Sequence, residues 1–256
     1  MQSYAGAWTR AALASTDRLL ESQGDALETA ADWSADTIAA DGLVHVFGSG
    51  HSRIPVEEMF PRYGSYPGFH PIVELSTTFH TQVAGANGMR QAMFIERVPG
   101  LAEMVLRNYT FAGHDLYMGF SVGGSSALPV EMMAGARARG IKTIAVTNLA
   151  MGGTMAAHAD LVVDLQAPPG DAAVDIDGLD TPVGPVSTLL YTVVVNEIKV
   201  RTAARLVARG CQPPVITSAV RMGAERSREL FEAAFHEHAR RASRALDQGT
   251  SAAPVA

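Results

Sequence analysis

"LVHVFGSGHSRIPVEEM" (residues 43–59) opens on a short apolar run, breaks at Gly-Ser-Gly, and resumes with Pro55 followed by helical spacing of Val56, Met59 and Phe60. The order is strand, loop, helix, because proline is tolerated in the first turn of a helix and a near-continuous apolar run suits a strand covered on both faces. The same turn is written again in "DLYMGFSVGGSSALPVEMM" (115–133). With Gly50 set over Gly124, four further positions recur at the same offsets: Ser52 and Ser126, Pro55 and Pro129, Val56 and Val130, Glu57 and Glu131.

Working outward, "PIVEL" (71–75), "KTIAVTN" (142–148) and "LVVDL" (161–165) read as further strands beside 43–47 and 115–120. Helical patterns separate them. The fold class expected is α/β, a three-layer α/β/α sandwich with a five-stranded parallel sheet of Rossmann-like type. Residues 4–39 form one long helix or two, with Leu13, Leu20, Leu27, Ala31 and Ile38 inward. Helices are expected at 98–112 and at 127–139, the latter stopped by Gly140, with only a short turn at 152–158. The apolar stretch 186–208 must be buried against its own sheet or a second subunit, and 219–246 is a charged, amphipathic helix. The layout is thus a helical segment (1–40) packing on the core or on a second subunit, one domain (41–246) and a flexible tail (247–256).

At 256 residues and 47% hydrophobic, the chain can bury one large core. Its net charge of −6, with Lys and Arg scattered, provides no basic footprint and excludes nucleic acid as an expected partner. The lone Cys211 rules out an internal disulfide, in keeping with a reducing compartment. The start lacks a basic region followed by an apolar stretch, and no segment reaches the ~18 apolar residues of a membrane span. A cytoplasmic protein without membrane partners is expected, and the apolar 186–208 helix favours a homo-oligomer, a dimer or a dimer of dimers.

A glycine-rich loop at the carboxyl end of a parallel strand aims backbone N–H groups and the positive end of a helix dipole at one spot. Ser121, Ser125 and Ser126 on one loop, with Ser49 and Ser52 on the other, add uncharged donors suited to a phosphate or to sugar hydroxyls. The competing reading makes Ser52 and Ser126 simple helix N-caps, which leaves Gly48, Ser49, Gly50, Ser121, Gly123 and Gly124 unexplained. A dinucleotide fingerprint fits less well: Gly48-x-Gly50 follows a strand and Glu74 stands at a suitable distance, but Arg53 occupies the third glycine's place.

"VHVFGSGHS" followed by "GFSVGGSSALPVE", on this strand pattern, resembles the sugar isomerase (SIS) domain family of phosphosugar-binding proteins over about residues 40–210. "GSGHSRIPVEEMFPRYG" is similar to the phosphoheptose-isomerase-like branch, and the whole chain resembles the actinobacterial N-acetylglucosamine-6-phosphate dehydratases. The resemblance implies a small phosphorylated sugar as ligand, phosphate on Ser121, Ser125 and Ser126, and sugar towards Ser49, Gly50, His51 and Ser52. Gly123 stands where the family usually has another Ser or Thr, so a backbone N–H replaces that hydroxyl beside Gly124.

Such enzymes remove the proton next to the carbonyl of the open-chain sugar, which needs a carboxylate or imidazole base. Glu58, Glu57 and His51 are the candidates, with Glu131 marking the sugar end of the second loop. Consecutive helical residues point ~100° apart, so one of Glu57 and Glu58 faces inward; in better-known members the glutamate comes about a turn later, where this chain has Arg62. The activity implied is dehydration of N-acetylglucosamine 6-phosphate; an aldose–ketose isomerase and a non-catalytic phosphosugar sensor are the alternatives. His45 is expected to be structural, His236 and His238 solvated, and "STTFHTQVAGANG" (76–88) a lid carrying His80. "DIDGLD" (175–180) hints at a calcium loop but lacks an EF-hand's further ligands, so neither metal nor cofactor is expected.

Overall fold

A computed structural model describes residues 3–78 and 87–247. Five strands, β1 (Val44–Gly48), β2 (Phe69–Pro71), β3 (Leu116–Phe120), β4 (Lys142–Thr147) and β5 (Leu161–Asp164), form one parallel sheet in the order β2-β1-β3-β4-β5. Side chains alternate across it. Val44, Val46, Met118, Phe120, Ile144 and Val146 enter one core, while Phe47, Tyr117 and Ala145 enter another on the opposite face. The first core is closed by α1 (Ala7–Ala39), α2 (Ile54–Met59) and α7 (Ser187–Ala208), the second by α5 (Leu101–Leu106) and α6 (Ala127–Ala138). α3 (Leu75–Thr78) and α4 (Asn87–Ile95) lie between β2 and α5, and α8 (Ala219–Met222) and α9 (Ala224–Leu246) close the described chain.

α7 is buried through Leu190, Tyr191, Val194, Val195, Ile198 and Leu206, a helical stripe against α1, α2 and the sheet. Each such aliphatic side chain contributes about 1.5–3 kcal/mol. The ion pairs lacing α1 to α7, such as Arg209–Asp36 at 2.8 Å, are largely exposed and worth at most about 1 kcal/mol apiece. Apolar burial therefore holds α1 down. The inward face of α1 is Ala12, Leu19, Leu27, Ala30, Ala31, Ala35 and Ile38; Leu13, expected inward, is 58% exposed.

Other boundaries also differ from expectation. The second strand lies at 69–71 because Glu74 turns the chain: its carboxylate accepts from the Thr77 and Ser76 backbone N–H groups at 2.9 and 3.2 Å and starts α3. The helix expected at 98–112 begins only at Leu101, after Pro99 and a left-handed Gly100, and α4 precedes it. Gly223 divides the last helix into α8 and α9. "DIDGLD" is the turn of an antiparallel hairpin, β6 (Ala172–Val174) with β7 (Val183–Pro185). Residues 79–86 of the expected lid, His80 among them, lie outside the described residues. No described helix is long and apolar enough to cross a membrane.

Candidate functional site

The strand order places a topological switch between β1 and β3: the chain leaves β1 towards β2 on one side, then returns at β3 and continues to the other. In open α/β sheets this is where a crevice opens at the carboxyl edge. Gly48 pairs with Phe120, so both strands end level and the loops 49–53 and 121–126 emerge side by side.

The repeated sequence produces a repeated turn. Gly50 (φ 58°) and Gly124 (φ 56°), the superposed glycines, are both left-handed, a conformation that costs a side chain roughly 1–2 kcal/mol. Beyond the turn the copies diverge. The first loop makes a 3₁₀ turn (Gly50–Arg53) before the short α2, whereas the second runs directly into the longer α6. The stronger N-terminal dipole therefore lies at the serine-rich loop.

Ser126 occupies the N-cap position of α6, yet its hydroxyl makes no capping bond, and Ser52 sits inside the 3₁₀ turn; neither serine acts as a cap. Ser121 Oγ accepts from Gly124 N–H at 3.1 Å and braces the left-handed turn. Leu128 N–H donates to the Glu96 carbonyl at 2.9 Å, and Pro129 has no N–H to give. The N–H groups of Ser125, Ser126 and Ala127 have no acceptor among the described residues. These three amides, the Ser125 and Ser126 hydroxyls and the positive end of the α6 dipole lie together, an arrangement chemically able to accept an anion.

A third loop, unnoticed in the sequence, supports the second. Thr147 Oγ1 donates to the Val122 carbonyl at 3.3 Å, Asn148 N–H to the same oxygen at 3.1 Å, and Met155 N–H to the Gly124 carbonyl at 3.0 Å. Gly153 lies so close that a Cβ there would sit 2.0 Å from the Gly123 carbonyl oxygen. The only sequence signal was the "GG" pair at 152–153 in a connector.

On the first loop Ser49 is buried, His51 is exposed, and Ser52 is half-buried with its hydroxyl 3.4 Å from that of Tyr191 on α7. Glu57 points to solvent, with Arg53 Nη1 at 3.6 Å. Glu58 faces α7: Asn196 Nδ2 donates to its Oε1 at 3.0 Å, Arg62 bonds its Oε2, and the Lys199 ammonium lies 3.9 Å from the carboxylate while donating to the Glu58 carbonyl at 2.8 Å. Burial raises the Glu58 carboxyl, but the Asn196 and Arg62 hydrogen bonds and the Lys199 charge outweigh it, leaving it below its ordinary value and ionised. Glu57 and Glu58 both line a groove of about 520 Å³ between α2 and α9, walled by Tyr63, Phe231 and Phe235. The Glu131 carboxylate accepts from Gly100 N–H at 2.8 Å and braces the start of α5.

The structure thus gathers the five serines and His51 at one edge and sets Glu58 on the α7 flank of the same helix unit. Three histidines serve the core instead. His45 Nε2 lies 3.3 Å from buried Asp115, and His70 packs against His45 and His238 at 5.4 and 5.5 Å between ring centroids. His238, expected in solvent, is packed on Phe60 because α9 folds back over β2. Among the described residues no group of three or more His, Cys, Asp or Glu is placed to hold a metal ion.

The profile of the SIS domain family matches residues 7–148, a stretch holding α1, both loops and β1 to β4. Among curated proteins, the UPF0309 protein of Streptomyces griseus subsp. griseus is 32% identical over 229 residues, covering 84% of this chain and 88% of the relative. That of Brucella canis is 33% identical over 213 residues, covering 80% and 86%. Among solved structures, phosphoheptose isomerase GmhA from Neisseria gonorrhoeae superposes with a TM-score of 0.53 at 14% identity, covering 77% of this chain and 97% of that one. A phosphoheptose isomerase from Francisella tularensis gives 0.51 at 14%, covering 79% and 98%. At these identities the structures establish the shared fold.

Proposed function

The chain belongs to the SIS domain family, and from that premise we propose that it is a phosphosugar lyase that dehydrates N-acetylglucosamine 6-phosphate. The observation carrying this reading is the pair of turns on left-handed Gly50 and Gly124, side by side at the switch point, one opening onto amides at the start of α6 that have no acceptor among the described residues. A phosphate dianion suits Ser125, Ser126 and their amides, because charge-assisted hydrogen bonds to oxygen are about twice as strong as neutral ones. The sugar then extends towards Ser49, His51 and Ser52. The choice of elimination rests on the resemblance of "GSGHSRIPVEEMFPRYG" to the dehydratase branch.

In the open-chain sugar a base takes the C2 proton, the C–H electrons form the C1–C2 enolate, and their return expels the C3 hydroxyl. That hydroxyl leaves with a proton as water, and a C2–C3 double bond remains. Glu58 is the candidate base on the α7 flank, ionised and held by Asn196. His51, exposed on the loop, is the candidate donor to the departing hydroxyl. Incubation with N-acetylglucosamine 6-phosphate followed by mass spectrometry tests the reading. A product lighter by one water supports it, an unchanged mass with a new ketose makes the protein an isomerase, and no turnover with retained binding makes it a sensor.

The same reading makes the protein a cytoplasmic homo-oligomer, a dimer or a dimer of dimers. The assembly is supported by the exposed apolar side chains of α4, Met89, Met93 and Phe94.

A further inference from the structure

Tyr191 lies in the second turn of α7, fully buried, and touches both halves of the candidate site. Its ring stands edge-on to Phe120 at 5.6 Å and 87°, and Phe120 is the last residue of β3, immediately before Ser121. Its hydroxyl faces Ser52 on the other loop, 139 residues away in sequence, and Ser52 is its one hydrogen-bond partner among the described residues. The helix bearing it is fixed at its start by Asp171, which accepts from Ser187 N–H at 2.7 Å and from Ser187 Oγ at 2.6 Å.

A phenol removed from water must place its proton on an acceptor or forfeit about 1–3 kcal/mol. Burial holds Tyr191 far above the ordinary tyrosine range, so it keeps that proton throughout the working pH range. Among the described residues the only acceptor offered is Ser52 Oγ. A hydroxyl carries one donor and two acceptor sites. With Tyr191 donating, the Ser52 proton is left for a further acceptor, and Ser52, half-buried on the loop after β1, can offer it at the carboxyl edge of the sheet where the two loops emerge. The 3.4 Å separation is at the long end for such a bond, and bonds of this kind are often long before a ligand tightens them.

We propose that Tyr191 is a positioning residue: through its hydroxyl it orients Ser52 as a hydrogen-bond donor to an oxygen on the sugar portion of a phosphorylated sugar. The inference deepens the functional reading above and rests on it. Tyr191 itself touches no ligand, and its effect passes wholly through Ser52.

The test is calorimetric titration of N-acetylglucosamine 6-phosphate into wild type, Tyr191→Phe, Ser52→Ala and the double variant, with inorganic phosphate as second probe. Each single variant is expected to weaken the sugar phosphate roughly fivefold to tenfold, and the double variant to bind no worse than Ser52→Ala. Inorganic phosphate, held by the other loop, should bind all four alike. Equal losses for both probes would mark Tyr191 as a packing residue, and multiplied losses in the double variant would give it a role apart from Ser52; either result overturns the proposal. Wild type that binds inorganic phosphate but no sugar phosphate overturns the functional reading and the relay together. Wild type that binds the sugar phosphate with an unaffected Tyr191→Phe overturns the relay alone. Should Tyr191→Phe fail to fold, Tyr191→Met, which also fills the space without a hydroxyl, is held to the same outcomes.

Discussion

Gly153 shows how little room the second loop leaves. A methyl group there would overlap the Gly123 carbonyl, so Gly153→Ala must push residues 122–124 away from the support that β4 and its loop provide. Overpacking of this kind costs about 1–3 kcal/mol. The expected outcome is a chain that still folds, melts lower, and binds N-acetylglucosamine 6-phosphate at least roughly tenfold more weakly by calorimetry; unchanged affinity would show that the loop position is irrelevant to the ligand. Ser121→Ala removes the acceptor for Gly124 N–H, a bond worth about 1 kcal/mol, and should lower stability in urea by that amount. The Ser121–Gly124 bond is local to the loop, but the partners that support the loop from outside are not visible locally. The sequence shows that Ser121, Ser125 and Ser126 form a loop, while Gly153, Thr147 and Tyr191 reach it only through the order of the strands.

At the scale of elements, the repeated strand–turn–helix unit was legible because it combines three local signals: an apolar run, glycines that can turn left-handed, and a proline one turn into the helix. α6 and α7 followed from helical periodicity almost to the residue. The failures have local causes too. Glu74 looked like the last residue of a strand but bonds the amides that start α3, and Pro99-Gly100 broke a pattern that hydrophobic spacing alone would continue. His238 looked solvated because its burial depends on α9 packing over Phe60 and His70. That packing makes a pH prediction. Burial, followed by the neighbouring His45 and His238, lowers His70 to about 3, against an ordinary value near 6.5, with Asp115 opposing. The folded state therefore binds fewer protons than the unfolded one between these values, so stability is retained above about pH 6.5 and falls as pH drops towards 3, by up to about 1.4 kcal/mol per pH unit for this group. His70→Phe, which keeps the ring volume without the titration, should flatten the fall in unfolding free energy measured between pH 6.5 and 4; an unchanged slope would assign the acid sensitivity elsewhere. On α4, the prediction is that wild type runs as the proposed oligomer in light scattering and Phe94→Glu as a smaller species with a cooperative melting transition; an unchanged mass would remove α4 as the contact.

For the whole molecule, the strand order does what neither loop does alone. Gly48 to Glu58 read in isolation fits a capped helix or a damaged dinucleotide fingerprint, and it becomes half of a site only when β1 and β3 lie side by side and end level. The two halves are chemically unequal. The second has the longer helix and open amides, whereas the first has the imidazole of His51 and passes through α2 to a carboxylate held by Asn196, Arg62 and Lys199. On the proposed reading, one copy of the turn holds the phosphate and the other meets the rest of the ligand. The most direct measurement is the affinity of wild type and a Ser125→Ala, Ser126→Ala double variant for N-acetylglucosamine 6-phosphate and for unphosphorylated N-acetylglucosamine, by calorimetry. Wild type should prefer the phosphate ester by at least about a hundredfold, the worth of two charge-assisted hydrogen bonds, and the double variant, which keeps the amides but lacks both hydroxyls, should lose at least about tenfold of that preference. Equal affinity for the two sugars, or a preference wholly unchanged by loss of both serine hydroxyls, would contradict the assignment of the second turn to phosphate.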